Sequence, residues 1–388
     1  MTQDLHMLKE KNKNKCIYSS MLSPFTKVDD EFSFKPKIFN NKNLPSNTLK
    51  SATTPLIKGK ECSYSEAIKE IKKIIKFEKS MHIDGLSTDF QSIQKILDFA
   101  EKYKSSINHM CADELNVYFS AMQKYGGSFV SFNELKKRAD FIIVIGAKEE
   151  NFSSDFFNDL NWKKTKIKKI IFYIDDKKKN ANSFSLNLID QINYLKSFLT
   201  EKEFGTDQKF KDLKQKFSKS VFPIVIANIK KKDYALTYSI FDFVRILNKQ
   251  KRIKMYSIYG SNNSGGFINA CVTKTGYPNA INFTEIGPVY EPNFILPDKQ
   301  KEQKNLQVFV SSFEPNPNFV FFKKNIFVGH PDFVYKKKVD VFIPTKTPGY
   351  DARGLIVRLD NGGIFKLEKI VDSDFPLITQ LFEDIQKK

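Results

Sequence analysis

Thiols and imidazoles are scarce in this sequence. Its 388 residues include 4 cysteines, 4 histidines and 1 tryptophan. The cysteines are far apart and do not follow the spacing of a disulfide scaffold; they are Cys16, Cys62, Cys111 and Cys271. We therefore expect reduced thiols and a cytoplasmic protein. A metal site built from several histidines is not expected either, because the histidines too are scattered; they are His6, His82, His109 and His330.

Several further features are missing from the sequence. The chain has no run of about 18 apolar residues, and its first residues do not resemble a signal peptide, so we expect no association with a membrane. It contains no G-x-x-x-x-G-K-[ST] phosphate loop, no H-E-x-x-H zinc helix and no G-x-S-x-G nucleophile elbow. These absences argue against a P-loop nucleotide enzyme, a zinc protease of that type and a serine hydrolase.

Positive charge is abundant. The 63 Lys and Arg residues outnumber the 44 Asp and Glu residues, which gives a formal charge of +19. The lysines are spread along the chain, and abundant Lys, Asn, Ile and Phe are typical of an AT-rich genome. Solvated lysine-rich faces are one interpretation, and attraction of an acidic partner or a polyglutamylated cofactor is another. Nucleic-acid binding is not favoured, because no helix-turn-helix or zinc-finger spacing accompanies the lysines.

Apolar periodicity predicts an α/β protein. Ser63 and Glu66 form a capping box at the start of a helix, and Asp84–Gly85 predicts a turn after a short strand. Asp360 to Gly363 lies at the centre of a predicted β-hairpin over 354–371. Each of the remaining segments shows either the apolar period of a helix or the apolar run of a strand. Helices are predicted at 63–79, 89–104, 133–138, 185–218, 235–249 and 375–385, and strands at 139–147, 168–176, 222–228, 253–260, 306–313, 325–331 and 339–345.

The length predicts two or three domains. We divide the chain into a short N-terminal unit (1–52), a Rossmann-like α/β domain (53–215), a second α/β domain (216–345) and a C-terminal hairpin and helix that pack back on the α/β core (346–388). The alternative is one continuous doubly wound domain with a β appendage.

Five segments, in this order, resemble the B subunit of formylmethanofuran dehydrogenase and its bacterial counterpart in the formyltransferase/hydrolase complex. They are TTPLIKGKECSYSEAI (53–68), HIDGLSTDFQSIQKILDFAEK (82–102), SFNELKKRADFIIVIGA (131–147), SNNSGGFINACVTKTGYPNAINF (261–283) and PGYDARGLIVRLDNGGIFKLEKIV (348–371). The resemblance runs from about Cys16 to the C-terminus. It implies a molybdopterin-oxidoreductase-like fold, of the type of formate dehydrogenase and DMSO reductase.

The resemblance also implies where an iron–sulfur cluster would be held. The family motif is C-x2-C-x3-C, and the matching positions here are Cys16, Ser19 and Ser23. Iron–sulfur clusters are held by thiolates, and a serine hydroxyl is a poor substitute. We therefore expect this region to be degenerate and Cys16 to be a vestigial or merely packed cysteine.

The metal position of the family corresponds to HMCADEL (109–115). Cys111 stands where the family has the cysteine or selenocysteine that ligates molybdenum or tungsten, and Ala112 stands where the family has a catalytic histidine. His109 is a conceivable substitute. The competing interpretation is that Cys111 is a small buried thiol at the end of a strand.

The pterin position corresponds to the loop GSNNSGG (260–266). Glycine-rich turns after a strand hold phosphates through their backbone N–H groups, so Gly260, Asn262, Asn263 and Gly265 are candidates for a vestigial pterin loop. Glu149 and Glu150, near a second suitable turn, would repel a pyrophosphate. The competing interpretation is a plain turn in an inherited fold.

Together these observations predict a B subunit that is non-redox and structural, without a cofactor of its own. Its complex would act in tetrahydromethanopterin-linked oxidation of formaldehyde to formate. The expected partners are the other subunits and a polyglutamylated methanofuran analogue. The alternative is an active subunit with a molybdenum or tungsten pterin and an iron–sulfur cluster, and a third hypothesis, resting on charge alone, is a polyanion binder.

Overall fold

A computed structural model describes residues 33–34, 54–78, 80–146, 167, 169–174, 187–200, 208–229, 232–360 and 363–387. These residues form two compact units. The first contains the described residues up to Ala112, those of Gly260–Arg358 and those from Gly363 onward; the second contains those of Asp113–Tyr259 and Leu359–Gly362. The chain therefore leaves the first unit twice, at 113–259 and briefly at 359–362, and returns to it each time.

The first unit is built on a nine-stranded sheet. Its strands are β2 (Leu56–Ile57), β3 (Lys60–Glu61), β4 (Met81–Ser87), β5 (Ser106–Ile107), β10 (Ile281–Thr284), β11 (Gly287–Tyr290), β12 (Leu306–Ser311), β13 (Lys324–Gly329) and β14 (Val341–Pro344). The order is β11-β10-β5-β4-β12-β13-β14-β2-β3. Strands β5, β4, β12, β13 and β14 are parallel to one another, and the flanking hairpins are antiparallel to them.

The order of the central strands reverses between β4 and β12. From β4 the chain passes through helix α2 (Phe90–Lys102) to β5 on one side, whereas β12 leads to β13 and β14 on the other. In doubly wound sheets, ligands bind in the crevice beyond the carboxyl ends of the strands at such a switch point. A ligand site is therefore expected at the carboxyl ends of β4 and β12.

The other elements of the first unit pack around this sheet. They are α1 (Tyr64–Glu78), α8 (Ser264–Thr275), α9 (Pro297–Gln303), α10 (Ile378–Gln386), the antiparallel pair β15 (Gly354–Val357) and β16 (Ile364–Leu367), and β1 (Ser33–Phe34), which is parallel to β16. Helix α1 begins at the predicted capping box: Glu66 Oε2 accepts from the Ser63 backbone N–H at 2.8 Å, and Ser63 Oγ accepts from the Glu66 N–H at 3.3 Å. Its apolar stripe of Ile and Ala is buried.

The second unit has a four-stranded parallel sheet in the order β7-β6-β8-β9. Its strands are β6 (Phe141–Ile145), β7 (Ile170–Ile174), β8 (Pro223–Asn228) and β9 (Lys254–Ile258), and its helices are α3 (Ala112–Tyr125, beginning on the last residue of the first unit), α4 (Phe132–Arg138), α5 (Leu188–Thr200), α6 (Gln208–Lys219) and α7 (Tyr234–Leu247). The run FIIVI of β6 is buried throughout, as expected for a parallel strand covered on both faces. Within the described ranges, no helix combines the length and the apolarity needed to cross a membrane.

The predicted α/β class with parallel strands is confirmed, and so is the hairpin of β15 and β16. The predicted turn at Asp84–Gly85 is wrong, because β4 continues through it. Gly85 has a φ of +87°, and the pairing of β4 with β12 shifts register there, so these residues form a bulge. A Cβ on Gly85 would lie 2.4 Å from the Val310 carbonyl oxygen, which explains why glycine is needed.

Two further predictions differ from the structure. The helical stretch 185–218 contains two separate helices, α5 and α6. The boundary at 215/216 falls within α6, inside one compact unit, because strands on both sides of residues 113–259 join the first sheet. Apolar periodicity identifies a strand but does not specify which sheet the strand joins.

Candidate functional site

The structure brings the predicted metal position and the predicted pterin loop together in the first unit. Cys111 follows β5, and the loop 260–263 leads into α8. The Cys111 Sγ lies 3.2 Å from the Ser261 Oγ, and His109 Nε2 lies 3.2 Å from the Asn262 carbonyl oxygen. These segments are about 150 residues apart in the sequence, so their meeting is a property of the fold.

The His109 imidazole is neutral, and both of its ring nitrogens make hydrogen bonds. Its Nδ1 accepts a hydrogen bond from the Cys111 backbone N–H at 3.1 Å, so Nε2 carries the proton and donates to the Asn262 carbonyl. The ring is completely buried and lies 5.3 Å from the Phe267 ring, between centroids. Burial lowers the pKa of His109 to about 4. The imidazole therefore holds the turn before Cys111 against the loop and leaves neither nitrogen open to a metal.

Cys111 is a buried thiol at the start of a helix. It lies directly before α3, so the expected position at the end of a strand is wrong. Its sulfur is close to the hydroxyl of Ser261. Among the residues that the structure describes, no group of three or more His, Cys, Asp or Glu side chains is arranged to hold a metal ion. Cys16, Ser19, Ser23, Glu149 and Glu150 lie outside the described residues.

Asn263 organises the loop. It has left-handed backbone angles, with φ 60° and ψ 31°, and is the N-cap of α8. Its Oδ1 accepts from the Gly266 N–H at 3.2 Å and from the Val357 N–H at 2.9 Å, while its Nδ2 donates to the Thr88 carbonyl at 2.8 Å. One side chain thus joins the start of α8, strand β15 and the end of β4.

The loop glycines are explained by contacts within the chain. A Cβ on Gly265 would lie 2.3 Å from the Val357 carbonyl oxygen, and a Cβ on Gly266 would lie 2.5 Å from the Asn263 side-chain amide. Real Cβ atoms do not approach other atoms so closely. The space in front of these glycines, where a phosphate would be expected, is taken by β15 and Asn263.

The carboxyl ends of β4 and β12 are also covered by the chain. Ser312 follows β12, and its Oγ lies 3.3 Å from Thr88 Oγ1, just after β4. Thr347 Oγ1 donates to the Ser312 carbonyl at 3.2 Å. A Cβ on Gly354 would lie 2.9 Å from the Asp89 Cβ. The segment 347–357 therefore lies over the switch point of the sheet.

Helix α2 begins at this switch point, but its N-terminus is already capped. The Asp89 carboxylate accepts from the Gln91 N–H at 3.1 Å and from the Ser92 hydroxyl at 2.5 Å. Burial raises the pKa of Asp89, and these hydrogen bonds oppose the rise. A carboxylate here occupies the place where a helix N-terminus would receive an anion.

A pterin pyrophosphate would need open backbone N–H groups and free space at the 260–266 loop. The Gly266 N–H is bonded to Asn263, the Ser264 N–H to the Ser261 carbonyl, and β15 packs against Gly265. The described residues do not fit such a group at this loop. Sequence reasoning identified Gly260, Asn262, Asn263 and Gly265 but missed Thr88 and Val357, for which no local signal exists.

No family model matches this chain, and no curated protein matches it. Its fold does match solved structures. One is a chain of the formyltransferase/hydrolase complex (FhcABCD) of Methylorubrum extorquens in complex with methylofuran, with a TM-score of 0.76 at 14% identity over 86% of this chain and 98% of that one. Another is the acetylene hydratase of Pelobacter acetylenicus, with a TM-score of 0.52 at 11% identity over 86% of this chain and 60% of that one. At these identities the likeness shows a shared fold.

Proposed function

We propose that this chain is the B-type subunit of a formyltransferase/hydrolase complex of one-carbon metabolism, and that its own role is structural and non-redox. The observation that carries the non-redox part is the closed loop: Asn263 and Val357 occupy the position in front of Gly265 and Gly266. A subunit of this kind supports the subunits that transfer and hydrolyse the formyl group.

Two independent lines support the family part of the proposal. The five sequence segments occur in the order of the B-subunit family. The fold likeness to a chain of the Methylorubrum extorquens complex extends over 98% of that chain. The fold likeness supports a subunit of such a complex, and the order of the sequence segments is what favours the B subunit over the others.

The alternative is an active subunit with a molybdenum or tungsten pterin. It would require β15 to move away from Gly265, which breaks the Val357–Asn263 hydrogen bond. It would also require His109 to give up a buried hydrogen bond to Asn262 or Cys111 before it could act as a ligand. Nothing in the described residues favours these rearrangements.

A basic patch offers a place for the acidic tail of a methanofuran analogue. The patch lies at the β2–β3 edge of the sheet and contains Lys58 and Lys60 beside the β2–β3 turn, and Lys336, Lys337 and Lys338 of the 332–340 loop. The backbone of Gly59 lies against that of Lys337, and the Lys58 N–H donates to the Asp340 carbonyl, so the β2–β3 turn and the 332–340 loop are neighbours. Clustered lysines attract polycarboxylates, and such attraction weakens with salt.

Purification of the complex through a tag on this chain tests the proposal. We expect partner subunits to co-purify in fixed stoichiometry, and the preparation to transfer a formyl group from tetrahydromethanopterin to the methanofuran analogue and release formate. Removal of this chain should reduce assembly of the other subunits. If the tagged chain purifies alone and its deletion leaves the activity of the remaining subunits intact, the assignment to such a complex is wrong.

A further inference from the structure

A small cavity lies in the second unit, beside the C-terminal ends of α3 and α7 and the start of β9. Its volume is about 190 Å³. All of the lining residues fall within 113–259, so the cavity belongs to one compact unit. They are Tyr125, Gly126, Gly127, Ser128, Phe241, Val244, Arg245, Asn248 and Met255.

Hydrogen bonds fix the walls of this cavity. Asn248 Nδ2 donates to the carbonyls of Val244 and Ile253, each at 2.9 Å, and its Oδ1 accepts from the Ile253 N–H at 3.1 Å. The end of α7 is thereby joined to the start of β9. The Met255 N–H donates to the Ser128 carbonyl at 2.7 Å, which joins β9 to the turn after α3. The walls therefore exist before a ligand arrives, as is usual for small-molecule sites.

The interior of the cavity is apolar. Phe241, Val244 and Met255 are buried side chains of its lining. The Phe241 ring is held edge-on against the Tyr118 ring, with 5.6 Å between the centroids. An apolar cavity of roughly 150 Å³ holds one benzene molecule. The volume of about 190 Å³ therefore accommodates a single six-membered ring with a small substituent.

Arg245 adds a cation with unused hydrogen-bond donors to this apolar lining. Its Nε and Nη2 donate to Asp242 Oδ1 at 3.1 and 2.6 Å, and its Nη1 has no partner among the residues that the structure describes. Asp242 Oδ2 accepts from Lys196 Nζ at 3.0 Å, so two cations share this one carboxylate. Arg245 is exposed, and its guanidinium carbon lies 5.8 Å from the centroid of the Tyr125 ring.

The charges beside the cavity sum to a positive value. Lys124 Nζ lies 5.4 Å from the Tyr125 ring centroid and forms no ion pair with the described part of the chain. Together with Arg245 and Lys196, Lys124 makes three positive charges against the single negative charge of Asp242, a difference of +2. The C-terminal ends of α3 and α7 add roughly half a negative charge each, which leaves the site positive.

We infer that this cavity binds a small carboxylate that carries one apolar ring, such as benzoate. The ring lies against Phe241, Val244 and Met255, and the carboxylate accepts a hydrogen bond from Arg245 Nη1. Burial of the ring supplies affinity, and the charge-assisted hydrogen bond fixes its orientation. Because the lining residues all belong to the second unit, this binding does not depend on the proposed function of the chain.

An NMR titration of the full chain with labelled methionine methyl groups tests the inference. The Met255 signal is identified by comparison with Met255→Leu. Benzoate at millimolar concentration should shift this signal, whereas acetate, which lacks the ring, and benzylamine, which has the opposite charge, should leave it in place. A Met255 signal that benzoate does not move, or that acetate or benzylamine moves equally, would overturn the inference.

A pair of arginine variants tests the role of the charge. Arg245→Met should weaken benzoate binding about 10-fold, the usual effect of losing one hydrogen bond to a charged group. Arg138→Met is the matched control, because Arg138 also lies beside a carboxylate, that of Glu134, and over a ring, that of Phe222, but does not line the cavity. The control should bind benzoate as the wild-type chain does. Unchanged affinity in Arg245→Met, or an equal loss in both variants, contradicts a carboxylate held by Arg245.

Discussion

Asn263 Oδ1 accepts a hydrogen bond from the Val357 N–H at 2.9 Å, and Val357 in turn lies against Gly265, two residues beyond Asn263. A loop whose composition suggests a phosphate cradle is thus closed by a strand from the C-terminal part of the same chain. The same asparagine caps α8 and bonds to the end of β4.

Asn263→Ala should destabilise the first unit. It removes a helix cap and two further buried hydrogen bonds, so we expect a loss of roughly 2–4 kcal/mol in the free energy of unfolding, measured by denaturant titration. Asn269→Ala is the matched control, because Asn269 Nδ2 makes one hydrogen bond, to the Gly265 carbonyl. The control should lose no more than about 1 kcal/mol. Equal losses in the two variants would contradict the bridging role of Asn263.

Gly265→Ala should destabilise the fold because its methyl group overlaps the Val357 carbonyl. Overpacking of this kind costs about 1–3 kcal/mol, which is measurable as a lower denaturation midpoint. Gly276→Ala serves for comparison, because nothing lies within 4 Å of its Cβ and only the φ of +81° opposes the substitution. Equal midpoints for Gly265→Ala and the wild-type chain would show that β15 is not packed against the loop.

The buried His109 predicts a pH dependence of stability. Its folded pKa of about 4 is below its ordinary value of 6.5, so the unfolded chain binds the proton first as the pH falls. Stability should therefore decrease from pH 6.5 down to pH 4, with His109 contributing on the order of 3 kcal/mol.

His109→Gln should make this profile shallower in unfolding measurements between pH 4 and pH 6.5. His82 and His330 also have pKa values that burial lowers, so a residual slope will remain. An unchanged slope in the variant would mean that His109 is protonated or exposed in the folded protein.

The basic patch predicts salt-dependent binding of polycarboxylates. Glutamate at Lys336, Lys337 and Lys338 should weaken binding of a poly-γ-glutamate probe by about 10-fold at low salt, from a loss of roughly 0.5 kcal/mol per lysine. Glutamate at Lys211, Lys216 and Lys219 on α6 makes the same change in net charge at another surface. Identical weakening by both triple variants, in titration calorimetry, would show an effect of overall charge and would remove the patch as a docking site.

Local features of the fold could be predicted from the sequence because their causes are local. Ser63 and Glu66 are three residues apart, so their capping box can be read from the sequence. The apolar composition of β6 likewise indicates a buried strand. The bulge at Gly85 could not be separated from a turn, since glycine serves both. Val357 is 94 residues from Asn263, so the sequence of neither segment indicates the contact that closes the loop.

The content of molybdenum, tungsten and iron in the purified complex tests the central claim most directly. We expect mass spectrometry of the metals to find each at far less than one atom per copy of this chain, and Gly265→Ala to leave these values unchanged. One molybdenum or tungsten atom per chain, lost on Cys111→Ser, would contradict the closed loop and a non-redox role for this subunit.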